Sequence, residues 1–114
     1  MITFSEREQA FEAGFAHDEE VRFKILTRRN ALLGRWAADR LGYAGAAADK
    51  YVKKITDALC APARGTLSAD NRVISKLVMD LTTSGWEITR EDVRRILLDF
   101  EEQARTAVIK GRPA

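Results

Sequence analysis

The first third of the chain, Met1 to Leu41, limits the possible folds more than any other stretch: it has no proline and reads as helix from its first residues. Ser5 followed by Glu8 has the form of a capping box, in which the serine oxygen accepts from the backbone amide three residues on and the glutamate reaches back. Phe4, Phe11 and Phe15 recur at spacings of seven and four, so three aromatic rings fall on one narrow stripe. Most other positions up to Glu20 are charged. A helix with so thin an apolar face gains little by docking in its own core and suits a partner's groove better.

Charge divides sharply along this stretch. Residues 1–20 carry six acids (Glu6, Glu8, Glu12, Asp18, Glu19, Glu20) and one base, Arg7, whereas residues 21–40 carry six bases (Arg22, Lys24, Arg28, Arg29, Arg35, Arg40) and one acid, Asp39. Helix electrostatics favours acids at the N-terminal end and bases at the C-terminal end, and pairs such as Glu20 with Lys24 add to it. The same division also describes an acidic, aromatic-striped arm on a basic stem. The stripe favours the arm.

Beyond Glu20, Val21, Phe23, Ile25, Leu26, Leu32, Leu33, Trp36, Ala37 and Leu41 fill the wide apolar sector of a central bundle helix. Gly42 is placed to stop it, and Gly45 adds a second break. Asn30 and Gly34 both lower helix propensity here, and a small residue at position 34 admits a close neighbour. A second helix is expected over Ala46–Leu59, with Ala48, Tyr51, Val52, Ile55 and Leu59 inward. Pro62 and Gly65 then break the chain. Ser68 or Asp70 caps a third helix running to about Ser84, with Val73, Leu77, Val78 and Leu81 inward and Gly85 at its end. Thr89 and Asp92 form the capping box of a fourth, which carries Val93, Ile96, Leu97, Phe100, Ala104, Ala107 and Val108. Trp86 and Ile88 lie in the turn, where they are expected to staple the last two helices. The tail from Lys110 to Ala114 should fray.

These signals predict an all-α protein, a four-helix bundle with a long N-terminal helix whose first part projects as an arm. The expected division is an interaction arm over 1–20 and a bundle over 21–114. A chain of 114 residues makes one domain with a modest core. Cys60 is the only cysteine, which excludes a disulfide framework and suits a reducing compartment. The first residues hold no apolar signal region, and no apolar run approaches the roughly 20 residues that span a bilayer. The expectation is a soluble, cytoplasmic protein, monomeric because one core consumes its apolar faces.

Little in the chain suggests chemistry. His17 is the only histidine, and no second nitrogen or sulfur ligand stands at helical spacing from it, so no metal is expected. Cys60 has no neighbouring histidine and reads as a small packed thiol. Gly42-Tyr43-Ala44-Gly45 lacks the spacing and the preceding strand of a phosphate loop. No cofactor and no enzyme activity are expected.

Two basic pairs, Arg28-Arg29 and Arg94-Arg95, raise the question of nucleic acid. Gly85 to Leu97 superficially resembles the turn and second helix of a helix-turn-helix, so a small helical nucleic-acid-binding module is the alternative reading. Glu87, Glu91 and Asp92 stand where such contacts need neutral or basic groups, which favours solvated arginines and no nucleic acid. A nucleotide on the basic stem around Arg28 and Arg29 would have no spacing to specify it.

Several runs carry a family resemblance: Arg7-Glu8-Gln9-Ala10-Phe11-Glu12-Ala13, then Phe15-Ala16-His17-Asp18-Glu19-Glu20, Arg22-Phe23-Lys24, Arg28-Arg29-Asn30, Leu32-Leu33-Gly34 and Trp36-Ala37-Ala38. Together they resemble the ATP synthase inhibitor subunit zeta family of alphaproteobacteria. The resemblance continues more loosely through Val93-Arg94-Arg95 and is weakest from Ala44 to Leu67. It implies a four-helix regulatory protein that binds the catalytic head of the F-type ATP synthase and inhibits ATP hydrolysis. It further implies that the N-terminal helix enters a catalytic α/β subunit interface beside the γ rotor shaft while the bundle stays outside. The residues expected to meet the partner are then Phe4, Arg7, Glu8, Phe11, Glu12, Phe15, His17 and Asp18. The protein would sit at the cytoplasmic face of the inner membrane through the synthase. Gly14 departs from the family pattern, which leads one to expect a longer, basic residue there; a mid-helix glycine costs about 1 kcal/mol relative to alanine.

Overall fold

The computed structural model describes the backbone of residues 4–60 and 68–111, and the side chains of residues 19–57 and 68–111. Four helices follow one another: α1 (Phe4–Arg40), α2 (Gly45–Cys60), α3 (Ala69–Thr83) and α4 (Arg90–Lys110). No strand occurs among the described residues. The protein is all-α with four helices, as its periodicity predicts.

The helix ends are set by local hydrogen bonding. At the end of α1, Tyr43 N–H donates to the Ala38 carbonyl at 2.9 Å and Gly42 N–H to that of Asp39 at 3.2 Å. This reversal needs a left-handed residue, and Gly42 supplies it with φ +81°. The same pair of bonds closes α3, from Trp86 to Leu81 and from Gly85 to Thr82. Ser68 caps α3 by accepting from Asn71 N–H at 3.2 Å. At the start of α4 the capping box is complete: Thr89 Oγ1 accepts from Asp92 N–H at 3.1 Å, and the Asp92 carboxylate accepts from Thr89 N–H at 3.0 Å. The bond from the Thr89 backbone N–H, seconded by hydrogen bonding from the Thr89 hydroxyl, holds the Asp92 carboxyl below the usual carboxylate range.

Helices α1, α2 and α4 share the core with α3. Leu33 and Ala37 of α1 meet Tyr51 and Ile55 of α2, Val73, Ile74 and Leu77 of α3, and Val93 and Leu97 of α4. Packing of α2 on α1 depends on Gly34. A Cβ there would lie 3.0 Å from the Val52 Cα and 3.4 Å from the Ile55 Cβ. Helix α4 runs antiparallel to α1. Arg29 of α1 pairs with Glu101 of α4, while Val21 and Ile109 line one groove nearer the N-terminal half of α1.

One sequence expectation is corrected and two are extended. Phe23 is 53% exposed, outside the apolar sector of α1, because the inward face is carried by Ile25, Arg29, Leu33 and Ala37. Trp86 makes a link the sequence does not suggest: its side chain is about half exposed, and its indole N–H donates to the Arg40 carbonyl at 3.1 Å, tying the α3–α4 turn to the end of α1. Ile88 does pack against the core, partly buried. Ile74 is fully buried and joins the inward face of α3 beside the expected Val73, Leu77 and Leu81.

Candidate functional site

All eight residues expected to meet a partner fall on the N-terminal half of α1, within the span Phe4–Asp18. Phe4, Arg7, Glu8, Phe11, Glu12, Phe15, His17 and Asp18 thus share one element, but their side chains lie outside the described residues, as do the Ser5–Glu8 box and Cys60. At 1.5 Å per residue, the helix from Phe4 to Glu20 is roughly 24 Å long. It continues past Val21, the level reached by Ile109 in the last turn of α4.

What holds the other half of α1 in place is a buried charge cluster. Arg29 is inaccessible to solvent, and so is Asn30. The guanidinium donates to both Asp70 oxygens, at 2.7 and 3.3 Å, to Glu101 Oε1 at 2.9 Å, and twice to Asn30 Oδ1, at 3.0 and 2.9 Å. Asn30 Nδ2 in turn reaches the Ile55 carbonyl at 3.5 Å. Asp70 begins α3, Glu101 lies midway along α4 and Ile55 belongs to α2, so one pair of α1 residues touches all three other helices. A guanidinium suits this position because its planar fork serves several acceptors at once and it does not lose its proton. Arg105 completes the set, 3.6 Å from the other Glu101 oxygen.

This cluster removes Arg29 from the basic surface that the sequence suggests. Arg28 stays exposed while its neighbour is consumed internally. The second pair is also divided: Arg94 donates to Asn71 Oδ1 at 3.0 Å, and Arg95 stands 3.9 Å from Asp92. Nearby, Arg90 donates to Ser75 Oγ at 2.6 Å. The arginines of α4 therefore bind α3 or their own helix as much as they face solvent. Sequence reasoning missed the Arg29 cluster, although one signal was present. Arg29 stands four residues from Ile25 and from Leu33, on the inward face of its helix.

A second polar feature lies between α2 and α3. A cleft of about 510 Å³ is lined by Tyr43, Lys50, Tyr51, Lys54, Lys76 and Asp80, among others. The Tyr51 hydroxyl donates to Asp80 Oδ2 at 2.8 Å, and Lys76 pairs with the same oxygen at 3.0 Å. Burial first, and the bond to Asp80 second, push the Tyr51 phenol well above its ordinary range, so it stays protonated. Tyr51, Lys76 and Asp80 satisfy one another and tie α2 to α3.

Among the described residues, no group of three His, Cys, Asp or Glu side chains is placed to hold a metal ion. None of the described helices is long and apolar enough to cross a membrane. Neither a curated protein nor a solved structure matches the chain. A family model, described as ATPase inhibitor subunit zeta, matches residues 1–107 and so covers both the N-terminal half of α1 and nearly all of the bundle. The chain belongs to the ATPase inhibitor subunit zeta family, whose role on the ATP synthase is regulatory rather than catalytic.

Proposed function

We propose that this chain inhibits ATP hydrolysis by inserting the N-terminal half of α1 into a catalytic α/β subunit interface of the F-type ATP synthase, beside the γ shaft. The observation that carries the reading is α1 itself: one helix from Phe4 to Arg40, its second half fixed in a bundle through Arg29 and Asn30, its first half acidic with three phenylalanines at helical spacing. Such a helix is a rigid handle on a thin amphipathic probe. The phenylalanines supply apolar anchors, while Arg7, Glu8, Glu12, His17 and Asp18 set register and orientation. Inhibition on this reading is mechanical. The wedge blocks the closing of the interface that hydrolysis requires, and no bond is made or broken by the inhibitor.

Titrating the hydrolysis activity of the cognate synthase with the full-length protein, and with a chain beginning at Ala16, tests the reading. Inhibition by the first and none by the second is the expected result. Equal inhibition by both moves the working surface to the bundle and contradicts the proposal.

A further inference from the structure

The bundle end from which α1 continues carries an open groove of about 390 Å³ along the α1/α4 seam. Val21, Ile25 and Leu26 line it from α1 and Ile109 from α4, and the Ile109 side chain is 52% exposed. Arg22 and Arg105 add positive charge to the lining. Glu101 lines it too, but its carboxylate is held by Arg29 at 2.9 Å and by Arg105 at 3.6 Å. The groove thus combines an apolar strip of Val21, Ile25, Leu26 and Ile109 with the charged side chains of Arg22, Arg105 and Glu101.

Its register along α1 gives it a meaning. Leu26 follows Phe15 by eleven residues and Arg22 follows it by seven, so both stand within a fraction of a turn of the line set by Phe4, Phe11 and Phe15. A surface that receives the aromatic stripe runs directly onto Arg22, Leu26 and the last turn of α4. We propose that this groove is a second docking site for the catalytic head, accepting an apolar side chain flanked by carboxylates at the mouth of the interface that α1 enters. The inference rests on the inserted-helix reading above and deepens it. Two features select that occupant. The groove continues the proposed contact line without a break, and Arg22 and Arg105 together leave its lining more positive than Glu101 offsets, which calls for an acidic surround. An exposed isoleucine at a helix end costs the free protein little and becomes a buried anchor in the complex.

The experiment uses full-length variants in the hydrolysis titration, with thermal unfolding and sedimentation measured on each. Ile109→Ser and, separately, Arg22→Glu are expected to raise the concentration for half-inhibition about tenfold while leaving the unfolding temperature and the oligomeric state unchanged. Met79→Ser, at a methionine of α3 that is 68% exposed and outside the groove, is expected to change nothing. Phe11→Ala with Phe15→Ala reports on the inserted helix alone. If that double variant loses inhibition while both groove variants inhibit as the parent does, the groove proposal is overturned and the inserted-helix reading stands. If the double variant inhibits normally, the underlying reading fails instead. A parent dimer that Ile109→Ser converts to monomer with inhibition intact assigns the groove to a second copy and also overturns the proposal.

Discussion

A guanidinium without access to water has to find its hydrogen bonds inside the protein, and Arg29 finds them on Asn30, Asp70 and Glu101. Removing it withdraws the shared cation from Asp70 and Glu101, strands Asn30 and leaves a void where a long side chain was packed. Arg29→Ala is expected to cost on the order of 3–5 kcal/mol, the range for breaking a buried ion pair, as measured by denaturant unfolding. A cost under about 1 kcal/mol would mean the cluster does not anchor α1. Tyr51 makes a second prediction. Burial and Asp80 raise its phenol above the ordinary value of 10.0, so the folded state holds that proton more tightly than the unfolded chain does. The resulting stability is fully present below pH 10 and is lost as pH rises through the folded value. Tyr51→Phe removes the bond to Asp80 and with it this titration. The variant is expected to be less stable than the parent by about 1–3 kcal/mol near neutral pH. The gap should narrow when both are melted at increasing pH above 10. A gap that stays constant would contradict the assignment.

At the scale of elements, the α1–α2 contact leaves little room at position 34. Alanine at position 34 gains about 1 kcal/mol of helix propensity but places its Cβ 3.0 Å from the Val52 backbone, which cannot yield as a flexible side chain would. Gly34→Ala is expected to be destabilising by about 1–2 kcal/mol in thermal or chemical unfolding, the range for overpacking a tight contact. A stabilised variant would show that α2 can slide away. Elements were legible in the sequence wherever a short local pattern defines them. Gly42, Gly85 and the Thr89–Asp92 box mark helix ends that involve only residues within one turn. Gly34 was legible too, as a small residue in a helix with no turn to make. What could not be read locally depends on which groups arrive from elsewhere. Arg29 looks like half of a basic pair until Asp70 and Glu101, 41 and 72 residues later, close on it. Trp86 looks like a staple for its own turn until the Arg40 carbonyl, 46 residues earlier, accepts its N–H. Phe23 looks like core because Val21, Ile25 and Leu26 stand close to it in sequence, but its place on the helix turns it outward.

Over the whole molecule, the proposed function gives the two halves of a single helix different tasks. The residues from Val21 onward build a four-helix body around a filled apolar core and one satisfied charge cluster. The span Phe4–Glu20 extends the same helix with a composition no bundle core requires. A rigid body attached to an amphipathic extension fits a regulator that acts by obstruction, and the family to which the chain belongs is one of ATPase inhibitors. The half of α1 proposed to meet the partner rests on the aromatic spacing and on the charge division at Glu20, both read from the sequence. The groove at Ile109 was not, because it exists only where α4 ends beside α1. The central claim, that the first half of α1 enters a catalytic interface, is tested most directly by cross-linking. A photoreactive phenylalanine at position 11 of the full-length protein, activated in complex with the synthase during ATP hydrolysis, is expected to join both the α and the β subunit. A cross-linker at position 11 that captures neither subunit while the protein still inhibits would contradict the account.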